Sequence, residues 1–261
     1  MKRFELIGKS IGYTRSPFVH GILAKSYGLS YDYGIRDIDE EGLEPAMAAI
    51  RKGEVDGYNV TVPYKEKVIP LLDRIDAVAA RIGAVNTIYR EENDLVGANT
   101  DYAGFLSMLD YYGLDVSGKR VYVLGNGGAA RAVYVALRDR KAKPTVVKRR
   151  SSRRDEPFER TIFYDEIGAQ SVDLFVQTTP LGTYPRTDVS VLDRDVVKDR
   201  VVIDLVYRPL ETKIMKEASV GYNGLPMLIY QAIESLSLFF DRRFDLDERA
   251  FARIKEAIKD E

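Results

Sequence analysis

The chain has 261 residues, long enough for two ordinary domains that each bury a core. A net charge of −1 with 30% charged residues describes a surface of mixed sign, which excludes a global pull toward nucleic acid or an anionic membrane. There is no cysteine and one histidine, His20, so disulfides, thiolate nucleophiles and multi-histidine metal sites are excluded, and proton chemistry falls mainly to Lys, Tyr, Asp or Glu. Met1-Lys2-Arg3 is followed by too short an apolar run for a signal peptide, and no run reaches membrane-spanning length, so a cytoplasmic protein is expected.

In chain order, residues 4–8 read as a strand, and Ser16 as the N-cap of a helix with Pro17 at its first position. Residues 31–38 form a second strand, followed by a helix with Leu43, Met47 and Ile50 on one face. A strand over 58–63 ends in proline, a Lys-rich turn carries Lys65 and Lys67, and 83–89 gives another strand. This alternation predicts a small α/β unit with a largely parallel sheet. A helix from Gly104 to Tyr112 then bridges to a second domain.

That second domain opens on residues 121–132, V-Y-V-L-G-N-G-G-A-A-R-A, a strand running through a glycine loop into a helix. The spacing Gly125, Gly127, Ala130 fits the dinucleotide form G-x-G-x-x-G/A, and no Lys-Ser/Thr pair follows, which disfavours a nucleoside-triphosphate loop. Helix N–H groups and glycine backbone there suit a pyrophosphate. After the next strand, 145–147, an NAD site usually has a carboxylate, but this chain has Lys148-Arg149-Arg150-Ser151-Ser152-Arg153-Arg154. Guanidinium forks match phosphate oxygens, so the expected cofactor is NADP with its 2′-phosphate on this run. Strands over 172–177 and 201–206 follow, then helices over 225–240 and 247–259, the last with Phe251, Ile254 and Ile258 on one face.

Just past the strand ends stand Thr14, Ser16, Asn59, Thr61, Lys65, Asn86 and Asn99 to Asp101, a set suited to a polyhydroxylated acid. Taken with Thr14-Arg15-Ser16-Pro17, Asn59-Val60-Thr61-Val62-Pro63-Tyr64-Lys65-Glu66, Gly83-Ala84-Val85-Asn86-Thr87, Asn99-Thr100-Asp101, Gly125-Asn126-Gly127-Gly128-Ala129, Asp204-Leu205-Val206-Tyr207-Arg208-Pro209 and Gly224-Leu225-Pro226-Met227, the chain resembles the shikimate dehydrogenase family over essentially its whole length. The resemblance implies reversible NADP-linked reduction of 3-dehydroshikimate to shikimate in aromatic amino acid biosynthesis, with no metal, by a monomer or homodimer. It implies Lys65 and Asp101 as the catalytic pair, Thr14 and Ser16 on the substrate carboxylate with Tyr207 nearby, and Asn59, Thr61, Asn86 and Gln231 on the ring hydroxyls. Gly125, Asn126, Gly127, Gly128 and Ala129 take the pyrophosphate, Lys148, Arg149, Arg150, Ser151 and Arg154 the adenosine phosphate, and Leu205, Gly224 and Met227 lie near the nicotinamide. The fold implied is α/β, with a substrate domain at 1–101 plus 238–261, a Rossmann-type NADP domain with a parallel sheet at 102–237, and a C-terminal helix returning to the first domain.

The chain departs from the family's pattern at Thr14, commonly serine, at Tyr102, commonly glycine, and at Lys148-Arg149-Arg150-Ser151, commonly beginning Asn-Arg-Thr. The alternatives are a quinate/shikimate dehydrogenase with broader substrate or NAD use, a non-catalytic NADP sensor, and a methyltransferase, which would want an acid where Lys148 stands.

Overall fold

The structure, a computed structural model, describes residues 1–12, 14–152, 158–168 and 172–259. The chain divides into two compact units, Met1–Gly104 with Ile229–Glu256, and Phe105–Leu228 with Ala257–Glu261. The first unit carries strands β1 (Lys2–Gly8), β2 (Tyr31–Asp37), β3 (Gly57–Val60), β4 (Arg74–Ile75), β5 (Thr87–Glu91) and β6 (Asp94–Ala98). Its helices include α1 (Ser16–Ser26), α2 (Leu43–Arg51) and α3 (Ala77–Ile82). Helix α4 (Thr100–Tyr111) contains the boundary between the units, so the bridging helix begins four residues earlier than the apolar pattern indicated, at Thr100 rather than Gly104.

The first sheet has the order β2-β1-β3-β5-β6-β4. Strand β1 is parallel to β2 and β3, and β4 to β6, but β5 runs antiparallel to both β3 and β6. The sheet is therefore mixed, because residues 87–98 fold as a hairpin that turns at Glu92, φ 53°. The register sorts side chains by the two-residue period of a strand. Tyr58 and Ile88 are partners on one face and join Ile7, Val60, Leu95, Met47 and Ile50 in an apolar core. Asn59 and Thr87, also partners, point to the opposite face.

The second unit holds β7 (Arg120–Leu124), α5 (Gly128–Asp139), β8 (Lys143–Lys148), β9 (Thr161–Phe163), β10 (Leu174–Gln177), α6 (Arg194–Val197), β11 (Val201–Asp204), α7 (Lys213–Glu217) and β12 (Val220–Asn223). Its order is β12-β11-β10-β7-β8-β9 with every pairing parallel. Counted from β7, that is the doubly wound Rossmann order, whose topological switch point lies between β7 and β10. Val121, Val123 and Leu124 of β7 and Ala130, Val133 and Leu137 of α5 are fully buried, as strand and helix meet across the glycine loop.

Two helices close the chain, α8 (Leu225–Phe239) and α9 (Glu248–Lys259). The end of α8 belongs to the first unit, where Phe239 stacks on Phe4 at 4.2 Å and 9°. Gly57 makes room for it: a Cβ there would sit 2.7 Å from the Phe239 ring. In α9, Phe251, Ile254 and Ile258 are buried, the face that the sequence pattern singles out. No helix among the described residues is long and apolar enough to cross a membrane.

Candidate active site

In the first unit, Lys65 Nζ donates to Asp101 Oδ2 at 2.5 Å, with side chains only 14% and 10% exposed. The turn that carries Lys65 is fixed from several directions. Tyr64 OH donates to the Ile38 carbonyl at 2.7 Å, Val85 N–H donates to the Lys65 carbonyl at 2.7 Å, and Lys67 pairs with Glu40. Asp101 lies in the first turn of α4, and its other oxygen, Oδ1, accepts from Asn86 Nδ2 at 2.9 Å. Asn86 Oδ1 in turn accepts from the Thr100 N–H at 2.7 Å, which ties the start of α4 to the start of β5.

Behind this pair stands a buried polar cluster on the Asn59 and Thr87 face of the sheet. Asn59 Nδ2 donates to Thr87 Oγ1 at 3.1 Å and Ser235 Oγ at 2.9 Å, while Tyr33 OH donates to Asn59 Oδ1 at 2.7 Å. Thr87 Oγ1 donates to Asn86 Oδ1 at 3.1 Å. Asn59 and Asn86 are 5% and 3% exposed, and their amide hydrogens all have acceptors within the protein.

Thr14 and Ser16 come together at the start of α1, their hydroxyls 3.1 Å apart. Ser16 is the first helical residue rather than the cap, and the residue before it, Arg15, takes the cap position without a side-chain bond. Thr14 Oγ1 instead accepts the Ser16 N–H at 3.2 Å. Thr61 follows β3 and is half-buried, and Gly8 must stay small beside it, since a Cβ at Gly8 would lie 2.7 Å from the Thr61 methyl. Gln231 is half-buried on α8, and its carbonyl accepts from Ser235 Oγ at 2.9 Å.

In the second unit, Gly125 has φ 108°, and a Cβ there would lie 2.8 Å from Thr179 Cγ2 and 2.9 Å from Thr178 Oγ1. Both the left-handed backbone and the crowding require glycine. Thr178 Oγ1 donates to the Leu124 carbonyl at 2.7 Å, and Gln177 Oε1 accepts from the Thr179 N–H and hydroxyl at 2.9 Å each, so the loop after β10 braces the glycine loop. Gly127 caps α5 with no side chain, and Gly128 and Ala129 open the helix, leaving its first N–H groups available to an anion. Asn126 Nδ2 donates to Ser152 Oγ at 2.6 Å, joining this loop to the turn after β8. That geometry fits a phosphate-bearing dinucleotide.

The basic run divides. Arg150 pairs with Asp165 at 2.8 Å and Glu166 at 3.3 Å and lies 4.4 Å over the Phe163 ring. Lys148 Nζ is 6.0 Å from the same ring centre, and Arg149 and Ser151 are exposed in the turn closed by the Ser152 N–H to the Arg149 carbonyl at 3.0 Å. Arg154 lies outside the described residues. Leu205 and Gly224 press backbone to backbone, a Cβ on Gly224 falling 2.4 Å from the Leu205 carbonyl oxygen; Met227 is buried and Tyr207 half-buried.

Comparison with known proteins agrees with this geometry. Residues 6–88 match the shikimate dehydrogenase substrate binding domain. The NADP(+) shikimate dehydrogenase of Clostridium beijerinckii is 35% identical over 258 residues, covering 94% of each chain. The chain belongs to the shikimate dehydrogenase family. Among solved members, shikimate dehydrogenase 1 from Peptoclostridium difficile superposes with a TM-score of 0.89 at 32% identity, covering 99% of this chain and 98% of that one. The Thermus thermophilus enzyme, solved in complex with NADP(H) and shikimate, gives 0.86 at 31% identity, covering 99% of this chain and all, 100%, of that one.

Within this family member, the half-buried Tyr33 and the buried Thr87, Thr100 and Ser235 escape a reading that looks for exposed chemistry at strand ends. Thr87 and Thr100 sit inside quoted motifs, and Ser235 follows Gln231 by one helical turn. Tyr33 has no local signal, because its role depends on a contact 26 residues away in sequence.

Proposed function

We propose that this chain is a cytoplasmic NADP-dependent shikimate dehydrogenase, acting as a monomer or homodimer, that interconverts 3-dehydroshikimate and shikimate. The observation that carries the reading is the Lys65–Asp101 pair, largely shielded from solvent and held by Asn86 just before β5. Bound NADP supplies or takes the hydride. In the reducing direction the Lys65 ammonium donates a proton to the carbonyl oxygen as it becomes a hydroxyl, and in the oxidising direction the amine takes it back. Asp101 aims Lys65 and holds a neighbouring substrate hydroxyl. Thr14 and Ser16 hold the substrate carboxylate, with Tyr207 assisting, and Thr61 and Gln231 hold ring hydroxyls. Asn59 and Asn86, their hydrogens already spent, orient the groups in front of them. Gly125, Asn126, Gly127, Gly128 and Ala129 would cradle the pyrophosphate, Arg149, Ser151, Lys148 and Arg154 the adenosine phosphate, and Leu205, Gly224 and Met227 the nicotinamide. The proposed substrate domain, 1–101 with 238–261, and cofactor domain, 102–237, run close to the two compact units, whose bounds fall at Gly104 and Ile229.

The test is the initial rate of reduced-cofactor formation with each pairing of shikimate or quinate with NADP or NAD. Shikimate with NADP is expected fastest. Comparable rates on quinate would move the function to the broader relative and implicate Thr14, and no turnover in any pairing would refute catalysis.

A further inference from the structure

The buried cluster behind the proposed active site has a direction. Tyr33 OH donates to Asn59 Oδ1, Asn59 Nδ2 to Thr87 Oγ1, Thr87 Oγ1 to Asn86 Oδ1, and Asn86 Nδ2 to Asp101 Oδ1, at 2.7, 3.1, 3.1 and 2.9 Å. In these four bonds each donor faces the next member toward the carboxylate, whose second oxygen takes Lys65, while the second hydrogens of Asn59 and Asn86 go to Ser235 and Thr100. Such a chain polarises along its length, each bond strengthening the next. Two of its members are amides, which cannot pass a proton through in one step, so it orients and does not conduct.

The head of the chain is built to donate. Tyr33 is half-buried, and desolvation of its phenol pushes it well above the ordinary tyrosine range, which keeps the hydroxyl hydrogen in place. Its ring stacks on His20 at 3.7 Å and 10°. His20 is itself buried, and burial brings it down to about 3, so a neutral ring faces Tyr33. Tyr31 OH donates to the His20 carbonyl at 2.9 Å and lies 3.2 Å from His20 Nδ1, which assigns the imidazole hydrogen to Nδ1. The Asn86 carbonyl, which can only accept, lies 3.3 Å from Asn59 Nδ2, so Asn59 presents its oxygen to Tyr33 and its hydrogens to the side of Thr87 and Ser235. Were the amide turned over, Tyr33 would face N–H groups and Thr87 a carbonyl, reversing the chain.

We propose that Tyr33 is a positioning residue for the Lys65–Asp101 pair, acting through Asn59, Thr87 and Asn86. The inference rests on the proposed dehydrogenase reading only where turnover is measured. Two variants interrupt the chain at different points while keeping volume: Tyr33→Phe at its head and Thr87→Val at its middle. In each, kcat for shikimate oxidation with NADP is expected to fall about tenfold while the shikimate KM stays within about twofold. The double variant should lose no more than the larger single, because both cut one chain.

A second readout uses the ligand-free protein: the side-chain amide resonances of Asn86, followed by nitrogen–proton NMR. Tyr33→Phe is expected to move them, although Tyr33 does not touch Asn86 among the hydrogen bonds that join the two through Asn59 and Thr87. Unmoved Asn86 resonances, or losses in kcat that multiply in the double variant, would overturn the proposal. A Tyr33→Phe protein with lower thermal stability but wild-type kcat would overturn it too, leaving Tyr33 a packing residue. Absence of turnover in the wild type would instead strike the dehydrogenase reading, since the resonances need no substrate.

Discussion

Lys65 owes its place to its neighbours more than to its own flexible stem. The turn is pinned by Tyr64 and by the Val85 N–H, and the ammonium by Asp101, so replacing Lys65 removes one functional group from a frame that stands without it. Lys65→Ala is expected to lower kcat by about 10²- to 10⁴-fold, the usual range for a positioned proton donor, with a much smaller rise in the shikimate KM. Steady-state kinetics in both directions checks this; equal loss in kcat and affinity would make Lys65 a binding residue. The basic run separates in the same way. Arg150 pairs with Asp165 and Glu166 while Arg149 stands exposed in the turn, so of these two arginines Arg149 is the one proposed for the cofactor's phosphate. Arg149→Ala should raise the KM for NADP about tenfold or more without moving that for NAD, whereas Arg150→Ala should leave both near wild type. Comparing the two variants with both cofactors decides it, and a larger effect at Arg150 would reverse the assignment. Composition marks the whole run as basic and could not tell these arginines apart, because the carboxylates that claim Arg150 lie 15 and 16 residues away.

At the scale of elements, the end of β11 stores a pH response. Asp204 is fully buried, its Oδ2 accepts from Thr212 Oγ1 at 2.6 Å and its Oδ1 from the Val206 N–H at 3.0 Å. Burial outweighs these two donors and pushes the carboxyl up to about 7. An unfolded aspartate titrates at about 3.9, so between that value and 7 the folded chain holds a proton that the unfolded chain has lost. Stability from this group is therefore full below about pH 4 and declines as pH rises to about 7, by at most about 4 kcal/mol. Asp204→Asn should flatten that part of the profile and be the more stable protein at about pH 8. Urea midpoints for both proteins at about pH 4.5 and 8 test this; an undiminished slope in the variant would place its origin elsewhere. The elements themselves were unevenly legible. Strand, loop and helix from β7 to α5 follow from apolar runs and glycine spacing, since their burial is local. The β5–β6 hairpin was obscured by its charged turn, Glu91-Glu92-Asn93-Asp94, which lacks the Asn-Gly or Asp-Gly pair that usually announces one. The first turn of α4 was missed because Thr100 and Asp101 face polar partners, so no apolar period marks it.

For the whole molecule, the two sheets have different plans, one mixed and one parallel in Rossmann order, and the two halves of the proposed chemistry divide between them. The parallel unit was readable from motif spacing because a glycine loop serves a backbone geometry. The polar cluster of the first unit was readable at Lys65, Asp101, Asn59 and Asn86 but not at Tyr33, Thr87, Thr100 and Ser235, because its interior pairs β2, β3, β5 and α8 across long sequence distances. This division makes a thermodynamic prediction. A ligand stabilises the folded form that binds it, by about 2.7 kcal/mol at a hundred times its dissociation constant, which slows amide exchange through unfolding about a hundredfold. If the units open separately, NADP alone should slow exchange at the β7 and β10 amides of Val121–Leu124 and Leu174–Gln177 and leave Gly57–Val60 of β3 unchanged. Shikimate alone should do the reverse. Hydrogen exchange followed by mass spectrometry, with each ligand in turn, reads both segments in one experiment. Equal slowing of both units by either ligand would show that the chain opens as one cooperative body, and slowing of β3 by NADP alone would place the cofactor's site in the wrong unit.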